Sequence, residues 1–272
     1  VVKKIIGLEK VFNIVDNYTT ITFPHSIIIT GEAGSGKKLI CSYIADKLNL
    51  ELIDITNSLD EKLLDEIYRS VTQRIYLIDT RKIPEGKQNI FLKFLEEPLV
   101  NAHVIVLADN EFSLLTTVIN RGVRIRIDKY KEDDLKQFAI ENKIENIDKY
   151  LGNILRTPGD LLKVVEYDID LSKVEELAYN MVNHIQEASL SNTLTILDKV
   201  NFKDEYSKID LVLLLRMLYY LYVESFINTG DENKLELSKN VLLVMKQLEM
   251  DNRLNKERLF THLLLTLWQE SF

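Results

Sequence analysis

A single cysteine, Cys41, rules out an internal disulfide. It falls on the helix expected after a glycine-rich loop and reads as a buried core thiol, not a reactive one. The histidines are His25, His103, His184 and His262, scattered without ligand spacing, so no zinc or other metal site is expected. No signal-peptide pattern opens the sequence as given. The most apolar run, Ile209 to Ile227, is interrupted by Asp210, Arg216 and Glu224. Charges at those depths oppose a lipid-spanning helix and fit one buried in a helical domain. A cytoplasmic location with no membrane partner follows as an expectation. Internal repeats and low-complexity tracts are absent too.

What remains is ordinary globular composition, 46% hydrophobic and 28% charged over 272 residues, with room for two or three domains. The net charge of −8 is uneven. Residues 1–164 carry 23 Lys/Arg against 24 Asp/Glu, a balance of −1; the remaining 11 against 18 gives −7. An acidic second part argues against a nucleic-acid grip there.

Short, β-branched apolar runs alternate with helical patterns as far as residue 128. Strands are expected at Ser26–Thr30, Glu51–Ile55, Ile75–Asp79, His103–Asp109 and Arg124–Ile127, and helices at Lys37–Leu48, Leu59–Ser70, Lys87–Leu95 and Glu111–Asn120. That alternation means an α/β domain built on a parallel sheet covered on both faces, with ligands at the carboxyl ends of its strands. Beyond Asp128 the strand signal stops. Helices are expected at Lys131–Asn142, Asn146–Leu155 and from Pro158 through Val165, a small helical lid over 129–167. Residues 168–272 are leucine-rich, contain Gly230 but no proline, and predict three to five packed helices.

Two motifs carry chemistry. Gly31-Glu32-Ala33-Gly34-Ser35-Gly36-Lys37-Lys38 satisfies the phosphate-binding loop pattern at Gly31, Gly36 and Lys37, and fails at Lys38. In a working loop the last position supplies a hydroxyl to Mg²⁺, while backbone N–H groups and the lysine hold phosphates. A second ammonium repels that dication. Ile75-Tyr76-Leu77-Ile78-Asp79-Thr80 is a strand ending in an acid, the Walker B pattern, whose aspartate helps hold Mg²⁺. Thr80 stands where many hydrolytic versions carry a glutamate that polarises the attacking water.

The run Lys87-Gln88-Asn89-Ile90-Phe91-Leu92-Lys93-Phe94-Leu95-Glu96-Glu97-Pro98 resembles the "QNALLKTLEEP" helix of bacterial clamp-loader subunits. Phe23-Pro24-His25-Ser26 resembles their "PHA" entry, Leu107-Ala108-Asp109-Asn110 their sensor 1 segment, Ile119-Asn120-Arg121-Gly122 their "SRC" motif, and Thr157-Pro158-Gly159-Asp160 their sensor 2 turn. The resemblance runs in order over residues 1 to about 165. It is to the AAA+ family, most of all to delta-prime-type subunits of the DNA polymerase III clamp loader.

The resemblance implies an AAA+ core over 1–128, a helical lid over 129–167 and a helical collar over 168–272. It implies a stator: a subunit of a hetero-oligomer, a pentamer, that donates Arg121 in trans to a neighbouring ATPase. Partners would be motor- and wrench-type subunits, the sliding clamp and, through the assembled complex, primer–template DNA. Gly31, Gly34, Gly36, Lys37, Lys38, Asp79 and Asn110 would be a degenerate nucleotide site. Many relatives insert a cysteine-rich zinc module after the loop helix; this chain has none in Glu51–Ser70.

Three departures bear on activity. Lys38 replaces the metal-binding hydroxyl, Thr80 the catalytic glutamate, and Asp160 the sensor 2 arginine, so that a negative charge would face phosphates. Three readings stay open: a nucleotide-free scaffold whose glycines serve only the turn, weak binding of ATP and Mg²⁺ without hydrolysis, and an ATPase. Arg121 is a finger or a surface arginine of a basic strand with Arg124 and Arg126; Gly122 replaces the family cysteine. Arg81, Lys82 and Lys87 are either a DNA contact or a solvated surface. The rival functions are a motor subunit with degenerate motifs and a recruiting module acting through the acidic helices.

Overall fold

The computed structural model describes residues 6–83, 88–90, 92–96, 101–187, 191, 195, 197, 200, 210–250 and 254–271. The chain forms two compact units, Val1–Asp134 with Thr157–Gly159, and Leu135–Arg156 with Asp160–Phe272. The segment read as a lid, 129–167, is shared between the units.

In the first unit, strands β1 (Ser26–Thr30), β2 (Glu51–Asp54), β3 (Arg74–Asp79), β4 (Ala102–Ala108) and β5 (Val123–Arg126) form a parallel sheet in the order β2-β3-β4-β1-β5. Side chains alternate across it as the two-residue period of a strand requires. Ile27, Ile29, Leu77, Ile105 and Leu107 enter one core; Ile28, Tyr76, Ile78, Val104 and Val106 enter the other. Both faces are dry, which is why β1 and β4 are buried along their whole length.

Helices α1 (Glu9–Asp16) and α2 (Lys37–Leu48) pack on the first face, the former through Val11, Phe12 and Val15. The sequence reading assigns nothing before β1, so α1 is an addition. Cys41 is 0% exposed on α2, and burial pushes its thiol up to about 12, which makes it inert. Helix α3 (Glu61–Tyr68), capped by Asp60 onto the Leu63 N–H, and helix α4 (Leu92–Glu96) lie on the second face through Leu64, Ile67, Phe94 and Leu95.

The helix expected over Glu111–Asn120 is broken into a 3₁₀ turn at Glu111–Ser113 and α5 (Thr116–Ile119). The buried Gln88 side chain holds the break open: its amide donates to Ser113 O at 2.9 Å and its carbonyl accepts from Leu115 N at 3.0 Å. Helices α6 (Glu132–Glu141) and α7 (Pro158–Glu166) appear as expected, but the helix read at Asn146–Leu155 does not. Left-handed backbone at Asn146 (φ 61°) and Gly152 (φ 79°) leaves only a 3₁₀ turn, Asp148–Tyr150, between them.

The second unit contains α8 (Leu171–Gln186), α9 (Leu211–Thr229), α10 (Glu232–Met250) and α11 (Lys256–Gln269). Asp170, Asp210 and Asn255 cap three of them with side-chain oxygens on first-turn N–H groups. Helix α9 is long and apolar enough to cross a bilayer by length and composition. It is instead a core helix: Leu213, Leu214, Leu215, Met217 and Leu218 are buried, and its buried Arg216 donates to Asp160 Oδ2 and Ile154 O, both at 2.8 Å.

Candidate functional site

The sheet order sets the geometry. Strand β4 lies between β1, which feeds the glycine loop, and β3, which ends in Asp79. Whatever follows β4 therefore sits between the loop lysine and the Walker B carboxylate. That residue is Asp109.

Lys37 is 4% exposed. Its ammonium donates to Gly31 O, to Glu32 O at 3.0 Å and to Asp109 Oδ1 at 2.7 Å. An ammonium has three protons, and all three have protein acceptors. Burial depresses the Lys37 pKa, and the Asp109 carboxylate acts in the opposite direction.

Asp79 is 1% exposed, and the Arg81 guanidinium lies along it. Nε donates to Oδ1 at 2.8 Å and Nη2 to Oδ2 at 2.5 Å, a bidentate pair, with the Arg81 N–H adding 3.3 Å to Oδ1. Arg81 Nε is also 3.9 Å from Asp109 Oδ1. Burial opposes the charge on Asp79, and the Arg81 guanidinium outweighs it, holding the carboxyl below the usual carboxylate range. Two cations and two anions thus close on themselves, with formal charges that cancel.

The glycine loop is braced from outside. Gly159 N donates to Gly34 O at 3.0 Å, Thr157 Oγ1 to Ala33 O at 3.1 Å, and Tyr130 O–H to Ser35 O at 2.9 Å. Gly34 has φ +79°, and a Cβ there would lie 2.6 Å from Thr157 Oγ1 and 2.9 Å from Gly159 Cα. Backbone meets backbone at this point, so glycine is required whether or not a phosphate ever binds. Gly31 continues the sheet by donating to Ala108 O at 3.3 Å, and Gly36 is the N-cap of α2.

Lys38, in the hydroxyl's position, is half exposed and turns toward Asp54 Oδ2 at 3.4 Å. Thr80, in the glutamate's position, donates to Leu107 O at 2.8 Å and serves the sheet. Asn110 was expected at the nucleotide. It caps the 3₁₀ turn instead, accepting from Ser113 N at 3.0 Å, and its neighbour Asp109 makes the contact to Lys37. Asp160 was expected to leave a bare negative charge. Its carboxylate is taken by Arg216 and by the Arg156 N–H at 2.9 Å.

An Mg·nucleotide does not fit these residues. The lysine has no free proton, a guanidinium occupies the carboxylate that would hold the metal, and the metal's hydroxyl ligand is missing. Among the described residues, no cluster of three or more His, Cys, Asp or Glu stands ready for a metal either.

Residues 51–131 match the sequence family described as DNA polymerase III, delta subunit. A crystal structure of a DNA polymerase III gamma-subunit-related protein from Thermotoga maritima superposes with a TM-score of 0.52 at 14% identity, covering 98% of this chain and 100% of that one. At that identity the likeness is one of fold. The chain has an α/β fold of the AAA+ type. The Thermotoga maritima RuvB Holliday junction branch migration motor is also similar, at 12% identity and a TM-score of 0.49 over 82% of this chain and 76% of that one. No curated protein sequence matches.

On this α/β core, Arg121 follows α5 and leads into β5. Its side chain is 31% exposed. Nη2 meets Glu96 Oε1 at 2.5 Å, and Nη1 donates to Thr117 O at 2.5 Å. Gly122 has a steric reason: a Cβ there would lie 2.8 Å from Ile28 Cγ1.

Of the basic cluster, Arg81 points to Asp79 and Asp109, Lys82 is placed by backbone alone in the 3₁₀ turn Thr80–Lys82, and Lys87 lies outside the described residues. Sequence reasoning missed Asp109 and the Arg81 lock. Their signal was present, an acid closing the sensor 1 strand and an arginine two residues after the Walker B acid, but only the strand order brings them together.

Proposed function

We propose that this chain is a non-hydrolysing subunit of a DNA sliding-clamp loader, of the delta-prime or stator type. It works in the cytoplasm beside motor- and wrench-type subunits in a pentamer. The reading rests on one observation: the Lys37–Asp109–Arg81–Asp79 network fills the phosphate and metal positions with the protein's own charges. The likeness of residues 51–131 to the DNA polymerase III delta-subunit family supports the assignment to replication and to association with other clamp-loader subunits.

In this reading the chain spends its AAA+ core on architecture and offers one chemical group outward, Arg121. A guanidinium crossing to a neighbour's nucleotide neutralises charge on the transferred phosphoryl group, an effect on the order of 10³-fold or more in rate. A DNA contact by Arg81, Lys82 and Lys87 belongs to the assembled complex. Their joint neutralisation leaves the salt slope of DNA binding unchanged if they make none.

The test is ATP turnover by the ATPase subunits that copurify with this chain, in the presence of primed DNA and clamp. Wild type should raise turnover and Arg121→Ala should not. Mg²⁺-dependent hydrolysis by the isolated chain, lost in Lys37→Ala, would overturn the reading in favour of a motor subunit.

A further inference from the structure

Arg121 and Glu96 stand on separate pieces of chain that a third piece ties together. Helix α4 is fixed through Phe94 and Leu95, 0% and 4% exposed, and the Phe94 carbonyl lies 3.0 Å from His25 Nε2. The other nitrogen of the same ring lies 3.0 Å from Ala102 O, at the start of β4. The next residue, Ser26, donates its hydroxyl to the Arg121 carbonyl. Two consecutive residues at the entry to β1 thus hold the backbone of the glutamate's helix and the backbone of the arginine. The visible work of this entry segment is to register the two pieces of chain against each other.

The Arg121 guanidinium then has two anchors, Glu96 Oε1 and Thr117 O. A guanidinium has five N–H donors, so the anchors leave others for an incoming anion. Arginine loses less freedom per bond when its planar fork is already oriented, and a charge aimed in advance at the site of developing charge is worth more than one that must find it. An unrestrained arginine of this exposure would sample many rotamers.

We propose that Glu96 is the positioning residue for Arg121, setting the guanidinium at the angle from which it meets a neighbouring subunit's nucleotide. The proposal rests on the trans-acting role given to Arg121 above. The glutamate touches no nucleotide and acts only through the arginine.

The experiment uses the full chain with its copurifying ATPase subunits. Glu96→Ala should lower the DNA-stimulated kcat about three- to ten-fold with KM for ATP unchanged, as expected when an orienting contact is lost. Glu96→Gln keeps an oxygen in place and should restore most of that loss. The double variant Glu96→Ala, Arg121→Ala should be no slower than Arg121→Ala alone, because a residue that acts through another has nothing left to do. In the isolated chain, the Arg121 Nη protons should give separate NMR signals in wild type and in Glu96→Gln, and averaged signals in Glu96→Ala.

Turnover that Arg121→Ala cuts but Glu96→Ala leaves alone or raises overturns the positioning role and spares the finger. An additive loss in the double variant, or Nη signals indifferent to Glu96→Ala, overturns it as well. Turnover indifferent to Arg121→Ala sinks the finger first, and with it the purpose assigned to Glu96.

Discussion

Arg81 and Arg121 make the same kind of bond and, in the proposed reading, have opposite uses. Arg81 lies bidentate on a carboxylate that is 1% exposed, in a network whose charges cancel. Arg121 meets Glu96 by one nitrogen, at a surface where the two side chains are 31% and 47% exposed. In the proposed reading the inner pair is a substitute for ligand: its carboxylate is buried though its guanidinium is 28% exposed, and removing the guanidinium strands the carboxylate. The outer pair, in the proposed reading, is an orientation device that leaves part of the guanidinium available. On that reading the core keeps its phosphate loop for folding and reserves its chemistry for an edge.

The sharpest break in this comparison is Asp79→Ala. Losing the buried member of this bidentate pair costs about 3 kcal/mol, the low end for a buried pair, because the guanidinium left behind is 28% exposed and lies 3.9 Å from Asp109. Chemical denaturation of the isolated chain should show that loss, and it should show the same site in its pH dependence. Asp79 has a depressed folded pKa, so its contribution is complete above the unfolded value, about pH 4, and is lost as pH falls through the folded value. Asp79→Asn should flatten the acid limb of the stability curve. A wild-type limb as steep as the variant's would mean that Arg81 does not hold the carboxylate as described.

Gly34→Ala comes next. It places a methyl 2.6 Å from Thr157 Oγ1 at a φ of +79°, combining left-handed strain with overpacking. A loss of about 2–4 kcal/mol is expected, with no ligand present. If the glycine served only phosphate binding, the variant would denature with wild type.

How much of this was legible in the sequence follows from the range of each interaction. The strands were legible because β-branched runs such as Ile27-Ile28-Ile29 report their own burial, and β1 and α2 fell at the predicted bounds. The glycine loop and the Arg121 segment were legible as local motifs. The helix over Asn146–Leu155 was misread because apolar spacing does not report two left-handed residues. The break between Glu111 and Asn120 depends on Gln88, more than twenty residues away. Asp109 and Glu96 were illegible as site residues for the same reason, since each acquires its role from a partner on another strand or helix; Arg81 lies two residues from Asp79, but a local spacing does not tell a lock on that acid from a solvated side chain.

Glu96→Ala tests the outer region by its mildness. An exposed ion pair contributes under about 1 kcal/mol, so denaturation midpoints should barely move while the turnover effect described above persists. A large loss of stability would class the pair with Arg81 and Asp79, and the distinction between the two regions would fail.

The smallest effect expected is that of Lys38→Thr. The substitution restores the consensus hydroxyl and removes the ammonium that opposes Mg²⁺, so by motif alone it should revive the site. The structure predicts otherwise. Lys37 still donates to Gly31, Glu32 and Asp109, and Arg81 still covers Asp79. A nucleotide would have to displace three bonds from a lysine that is 4% exposed and unseat a guanidinium from a buried carboxylate before it met the new hydroxyl. Titration of Lys38→Thr with a fluorescent ATP analogue and Mg²⁺ should therefore match wild type within about twofold, well under 1 kcal/mol. Tight binding by this single variant would show that the inner charges yield readily and that Lys38 alone had kept the nucleotide out.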